Sequence, residues 1–400
     1  MGLVLLVLAV PAYAQEVEDT IKIKTRVVFL DALVKDKKTN QPVSNLTTDN
    51  FEVLDDGKPR NISYFTREGQ ARKPLALVLI LDIREDGAGR FLKRAEIMKS
   101  MESELAKLPP GDEAAIMVVD FVDDETRSWL TEFTNDRAKL ASALARVQAI
   151  CEKKDREGLP AEAQTANAET TDPDAKKVVE TETIKGKNGA VVTRTTLKDG
   201  TVNVKRVNKD GNVTMEIGDI YDMAAAVRDA SRKAQELRPN SQPSIVWISD
   251  GIAPIFYEDR DATEQILIRN NVIFNSLTVE LRTLFKFLMP VGKPVAGWMG
   301  LSLYGSAKHL AQRSGGEAVK VGKAKDYSAG LSRIFGNLTA RYSLGFALAE
   351  NETDDGRMHS LEVRVRAKDE KGKKRKLLVS SRQGYYMSSA MPKEAAARAQ

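Results

Sequence analysis

The sequence predicts an α/β protein: a doubly wound, mostly parallel sheet inserted between N- and C-terminal β segments. Three observations carry that expectation. Leu75-Ala-Leu-Val-Leu-Ile-Leu-Asp82 is an unbroken apolar run that ends in charge, the pattern of a central strand covered on both faces. From Leu75 onward strand-like and helix-like stretches alternate, the order that builds a parallel sheet with helices on its faces. Branched, alternating stretches return before residue 67 and after residue 340. Neither flank is large enough to hold a core alone, so the two are expected to pair into one β-sandwich.

Taken in order, residues 1–14 form a short apolar segment ending in Ala12-Tyr13-Ala14, the pattern of a secretory signal cleaved after Ala14. The usual Lys or Arg ahead of the apolar run is missing. An N-terminal β segment over 15–70 follows, with Ile21–Val34 as a strand and Phe51–Phe65 as a hairpin turning at Asp55-Asp56-Gly57. The α/β part spans 71–150 and 216–340. Its helices are expected over Arg90–Leu108, Arg137–Ala149, Ile220–Leu237, Tyr304–Arg313 and Tyr327–Leu338, with a helical turn over Glu264–Arg269. Its further strands are expected over Ala114–Phe121, Leu130–Thr134 (a short edge), Ser244–Ser249 and Val272–Val279.

An insertion at 151–215 interrupts this alternation. A polar Ala/Thr/Glu-rich run, Glu152–Lys177, is expected to be flexible. Then Asn188-Gly189, Asp199-Gly200 and Asp210-Gly211 recur at even spacing between Val/Thr-rich runs, a repeated hairpin signal. The reading is an antiparallel meander that projects from the α/β part, polar on both faces and therefore weakly specified in register. Strands return in the C-terminal segment, 341–387, and a tail over 388–400 is expected to fray.

Composition excludes several functions. The 61 Lys+Arg against 56 Asp+Glu give a net charge of +5, and the two signs are interleaved, which argues against a nucleic-acid footprint. No stretch after the signal has the ~18 apolar residues of a spanning helix, so the mature chain is expected to be secreted, periplasmic or held in the cell envelope. Cys151 is the sole cysteine and His309 and His359 the only histidines. That leaves no intrachain disulfide, no zinc site of soft ligands and no nucleophile–base pair. The chain is expected not to be an enzyme.

In order along the chain, Val43–Pro59, Leu130–Asp136, Ile220–Asp222, Ser249-Asp250-Gly251 and Arg382–Tyr386 resemble blocks of the secreted bacterial "VWFA-related" family. These are von Willebrand factor type A (VWA) domain proteins first noted in Acidobacteria, and the resemblance covers nearly the whole chain. It implies a metal site at the strand tips built from Asp-x-Ser-x-Ser, a Thr and an Asp. Asp82 and Asp250 match its acidic positions. The serine positions fall on Arg84 and Asp86, and the threonine position on or beside Gly218.

The adhesion site is therefore degenerate. An Arg84 guanidinium in that place is expected to bridge Asp82 and Asp250 in the stead of a cation. The alternative is Mg2+ or Mn2+ held by a rearranged set, Asp82, Asp86, Asp219 and Asp250. Asp219 and Asp222 also suit a helix N-terminus, and Asp123-Asp124-Glu125 suits a solvated loop. The long segment Leu281–Leu301 leaves the same end of the sheet. Its Phe285, Phe287, Leu288, Met289 and Trp298 either pack on the body or, with Arg84, form a docking patch. The functional expectation is a non-enzymatic, metal-independent protein-interaction module of adhesion type with an unidentified protein partner. The alternative is a structural component of the envelope acting through the meander and β flanks.

Overall fold

The structure is a computed structural model that describes residues 26–67, 72–83, 92, 94–122, 125–157, 177–198, 202–218, 223–249, 255–279, 297, 300–302, 305–322, 325–369 and 371–387. The signal-like segment 1–14, most of the run expected to be flexible and the tail 388–400 lie outside the described residues. No helix among those described is long and apolar enough to cross a membrane.

Along the chain, β1 (Val27–Asp36), β2 (Phe51–Asp55), β3 (Lys58–Arg60) and β4 (Tyr64–Thr66) precede β5 (Leu75–Asp82). Next come α1 (Ala95–Ala106), β6 (Glu113–Val122), β7 (Glu125–Thr134) and α2 (Arg137–Glu157). The insertion holds β8 (Val178–Lys185), β9 (Val191–Leu197), β10 (Val202–Val207) and β11 (Val213–Gly218). Then follow α3 (Met223–Leu237), β12 (Gln242–Ser249), β13 (Ile255–Phe256), α4 (Tyr257–Arg269) and β14 (Ile273–Val279). After these come β15 (Leu301–Ser302), α5 (Ser306–Ser314), β16 (Ala318–Val321) and α6 (Lys325–Thr339). The chain closes with β17 (Tyr342–Ala347), β18 (Met358–Val365), β19 (Leu377–Ser381) and β20 (Gly384–Tyr386).

The six-stranded central sheet runs β16-β14-β12-β5-β6-β7. Only β7 is antiparallel to its neighbour. Numbered by appearance, this is the order 3-2-1-4-5-6 of a doubly wound sheet, whose switch point lies between the first strand, β5, and the fourth, β12. Every residue of β5 and of β12 is buried, as a strand covered on both faces requires. One face packs α1, α2 and α6 around Leu77, Leu79 and Leu81. The other packs α3, α4 and α5 around Val78, Ile80 and Trp247.

Several boundaries differ from expectation. The Leu130–Thr134 strand starts at Glu125 and pairs along β6 with bulges. The helical turn at Glu264–Arg269 is the end of a helix that begins at Tyr257. α2 continues through Cys151 to Glu157, because Glu, Lys and Arg extend a helix as readily as they solvate a loop. Two pieces had no expectation. β16 is only four residues long, and β13 with β15 makes a two-stranded ribbon.

The meander forms as expected, in the order β11-β10-β9-β8. Its two described turns hold Gly189 and Gly211 at φ +80° and +83°, where glycine carries no Cβ penalty. It does not stand free with two polar faces. Val192, Val202 and Val204 are buried with Phe256 and Leu301, and Arg194 and Arg206 on the same face are buried too. Across the β9–β10 pair each buried Arg faces a buried Val: Val204 lies opposite Arg194, and Arg206 opposite Val192. The sequence reading took both faces of the meander as polar, but carboxylates of α4 receive these arginines and the face they share is buried. A one-residue slip would turn both toward water, so the register is set by these pairs.

The flanks interleave. One four-stranded sheet runs β19-β1-β17-β4 and the other β20-β18-β2-β3, so each holds strands from both ends of the chain. Residues of both sheets share one buried cluster with Leu30, Phe51, Val53, Tyr342, Phe346 and Tyr385. The buried Tyr342 hydroxyl donates to Val43 O at 2.7 Å and accepts the Leu46 N–H at 3.0 Å. The expected hairpin exists as β2–β3, turning at Asp56 and Gly57. It does not extend to Phe65. Ser63 N–H goes to Gly345 O, and β4 crosses to the other sheet, where the Phe65 and Tyr342 rings stack 5.8 Å apart.

Truncating one member of a buried ion pair costs far more than removing both. Arg206→Leu should therefore lower stability by about 3–5 kcal/mol in a urea titration, with the double change Arg206→Leu/Glu258→Leu recovering most of it. Equal losses in the single and double variants would refute the docking role of this pair.

Candidate functional site at the switch point

In an open α/β sheet, ligands bind beyond the carboxyl ends of the strands at the switch point. Here β5 ends at Asp82 and β12 at Ser249. The two strands run in register through Leu81↔Ile248, which sets Asp82 and Ser249 side by side. Both are fully buried, and the Ser249 hydroxyl donates to Asp82 Oδ2 at 2.7 Å. On the other side of β5, Ile83 N–H bonds Val119 O at 3.2 Å, which carries the strand straight past the acid. Of the residues predicted for this rim, Asp82 and Gly218, the last residue of β11, are described. Arg84, Asp86, Asp219 and Asp250 lie outside the described residues, as do Phe285, Phe287, Leu288, Met289 and Trp298.

The meander packs on the first turn of α4 and on the β13–β15 ribbon, which the sequence did not reveal. α4 follows directly on the loop after β12 and α3 on the loop after β11, so both helices start at the carboxyl end of the sheet. Glu258 and Asp259 lie in the first turn of α4, where the helix dipole favours acids. Arg206 clasps Glu258 with Nε to Oε2 at 3.1 Å and Nη2 to Oε1 at 2.9 Å. Arg194 spans Asp259 with contacts of 3.3 and 3.2 Å. Arg228 of α3, almost fully buried, donates to Glu182 of β8 at 2.6 Å and to Thr263 of α4 at 3.0 Å.

Arg194, Arg206 and Arg228 thus balance Glu182, Glu258 and Asp259. Burial works to raise Glu182 and Glu258, but the facing guanidiniums outweigh it and hold both below the usual carboxylate range. Gly300, at φ +80°, lies so close that a Cβ there would stand 2.5 Å from Arg206 Cζ. No side chain fits between β15 and the pair.

A second group of side chains lies on the flanking sheets. Asp55, Asp56 and His359 are near enough to share one ion, beside an open pocket of about 330 Å³. Their charges are already matched. Arg60 and the Tyr385 hydroxyl both reach Asp55 Oδ2, at 2.7 and 3.0 Å, and Arg357 lies 2.9 Å from Asp56. His359 Nδ1 faces Asp56 at 3.0 Å and Nε2 faces Asp355 at 3.2 Å. Both ring nitrogens of His359 already face carboxylates, and Arg60 and Arg357 already face the two aspartates, so the group's polar atoms are taken up within the protein. The sequence could not flag them, since Asp56 and His359 are 303 residues apart.

No protein-family model matches the chain, and a search of curated proteins finds no match. Similar solved structures include a von Willebrand factor type A protein from Catenulispora acidiphila, at 9% identity and TM-score 0.37, covering 84% of this chain and 75% of that one. Another is the manganese-loaded TRAP protein of Plasmodium vivax, at 11% identity and TM-score 0.33, covering 81% of this chain and 98% of that one. A third is the pilus adhesin SpaC from Lactobacillus rhamnosus GG, at 7% identity and TM-score 0.35. That match covers 87% of this chain and 48% of the adhesin, so the chain spans about half the adhesin's length. The fold stands on the strand order described above.

Burial works to raise Asp56 and Asp355, yet their hydrogen bonds, including those from His359 and Arg357, hold both below the usual range. Glu352 is held low chiefly by Arg60. A carboxylate with a depressed folded pKa contributes stability above its unfolded value and loses it as pH falls through the folded one. Stability should therefore fall as pH drops below about 4, and Asp56→Asn should flatten that slope in urea melts followed by tyrosine fluorescence. An Asp56→Asn protein with the parent's slope would contradict this.

Proposed function

We propose that this chain is a non-enzymatic protein-interaction module of VWA-like architecture, secreted or held in the envelope, with its contact surface at the carboxyl rim of the central sheet. The observation that carries this reading is the pairing of a switch-point rim with a meander clamped beside it by buried ion pairs. Such a clamp gives the rim a rigid wall, and a rigid surface loses little entropy when a partner docks. The rim candidates are Arg84 and the apolar residues Phe285, Phe287, Leu288, Met289 and Trp298. The surrounding domain scheme takes the interleaved flanks as a β-sandwich base and residues 71–150 with 216–340 as the α/β body.

The non-enzymatic reading is supported by what the reactive side chains touch. Cys151, on α2, is packed in the core, His309 bonds Glu264 at 2.7 Å, and His359 sits between two carboxylates. Metal independence is supported by the donor chemistry. Asp82 is fully buried and already accepts the Ser249 hydroxyl, and a guanidinium and a carboxylate stand where the VWA arrangement has serines. A hard cation wants an ordered shell of oxygens, which this set does not supply as written.

A second reading, an assembly component acting through the meander, is favoured by one observation. β8 is the outer strand of its sheet, and Val178 and Val179 on it are 53% and 59% exposed. Such an edge is a template for another strand.

Two measurements test these readings. Adding Mg2+ or Mn2+ should leave the melting temperature unchanged; a saturable rise abolished by Asp82→Ala would overturn metal independence. Serine at Phe285, Phe287, Met289 and Trp298 together should abolish capture of an envelope partner while Val178→Lys/Val179→Lys leaves it intact. The opposite result would select the assembly reading. Point changes are used because removing 178–215 would strand Glu258 and Asp259, and removing Leu301 would open the cluster beneath the meander.

A further inference from the structure

The buried charge that is not balanced lies at the other end of the central sheet, where β1, β4 and β17 meet the first residues of β5 and β12. Arg341, just ahead of β17, is 8% exposed. Its Nη2 donates to Gly315 O at 2.8 Å, while Nε and Nη1 have no hydrogen-bond partner among the described residues. Arg382, between β19 and β20, is equally buried; it donates to the carbonyls of Ile268 and Phe29, and its Nε has none among the described residues. Asp31 is the carboxylate whose charge acts on both guanidiniums. It forms an ion pair with neither among the described residues, and instead accepts the Ser343 hydroxyl.

Neighbouring charges do not correct the imbalance. Lys35 and Arg333 both add positive charge in this region, and both are taken up by a single acid, Glu317. Around Arg341, then, Lys35, Arg333, Arg341 and Arg382 face Asp31 and Glu317. Burial pulls Arg341 and Arg382 down to about 10, and burial with the nearby Arg333 and Arg341 pulls Lys35 to about 8, as loss of water around a cation requires.

Arg341 also lines a cavity of about 40 Å³, together with Asp31, Lys73, Gln242, Asn271 and Ser343. One water needs roughly 10–15 Å³ by this measure, so the space takes about three waters or one small anion. Lys73 lies at the mouth with its ammonium 4.8 Å from the Phe29 ring centroid. Water could satisfy the orphaned N–H donors, but it cannot offset the charge.

We propose that this cavity binds one small monovalent anion of chloride size between Arg341 and Lys73, where it joins the flanking sheet to the amino end of the central sheet. The anion supplies the missing negative charge and accepts the two unpartnered Arg341 donors, with the second amide hydrogen of Asn271 as a neutral donor, since Ser343 already donates to Asp31 and Gln242 to two carbonyls. Because the cavity is made by strands from both parts, the unfolded chain has no such site and binding stabilises the folded state.

The test replaces gluconate with chloride at constant ionic strength and follows both the melting temperature and the 35Cl NMR linewidth of the full chain. Chloride should raise the melting temperature saturably and broaden the line. Lys73→Met, a change at an exposed side chain, should weaken the apparent affinity about tenfold, and Arg341→Met should remove the effect. If Arg341→Met does not fold, Lys73→Met decides alone. A melting temperature indifferent to chloride with no excess linewidth would show that water fills the cavity and overturn the proposal, as would an unchanged chloride response in Lys73→Met.

Discussion

A charge taken out of water must meet its opposite or cost several kcal/mol, and this molecule buries many. Where the meander meets α4, guanidiniums and carboxylates face one another: Arg194 on Asp259 and Arg206 on Glu258. Apolar packing supplies the cohesion of each layer, but these pairs decide how one layer sits on the next. A hydrophobic contact tolerates sliding, whereas a two-pronged guanidinium–carboxylate contact does not.

The two ends of the central sheet are consequently different in kind. At the amino end the body is locked to the flanks through Lys35 on Glu317, Arg382 on the Ile268 carbonyl and the Gln383 N–H on Arg313 O. Arg269 lies 3.9 Å over the Tyr386 ring on the same side. At the carboxyl end β5 and β12 stop at Asp82 and Ser249, and the described neighbours there are the β13–β15 ribbon and the meander packed on it.

Much of the fold was legible because β5 and β12 carry unbroken apolar runs and because Asn-Gly and Asp-Gly dipeptides mark turns regardless of context. What was hidden had specific causes. β16 offers only four residues, too few for a pattern. β4 looked like the end of a hairpin because its partner, β17, lies far away in sequence. The meander read as polar on both faces because Arg194 and Arg206 share a face with its valines, and nothing local reveals the acids of α4 that meet them. The candidate rim was placed by strand-end logic, which gave Asp82 its position but not its bond to Ser249. The Asp55–Asp56–His359 group was invisible for the same reason as β4: sequence distance.

The interleaving of the flanks has a consequence for how the chain is made. Asp31 of β1 and its partner Ser343 of β17 are 312 residues apart. At synthesis rates of ~5–20 residues per second, β1 and β2 wait some tens of seconds for the strands that complete their sheets. The central sheet, by contrast, has all its strands once β16 has emerged. During that interval Leu30, Phe51 and Val53 have no interior to enter, and two branched, apolar strands are open to any passing chain. A cell that makes this protein must shield its first strands until its last ones arrive.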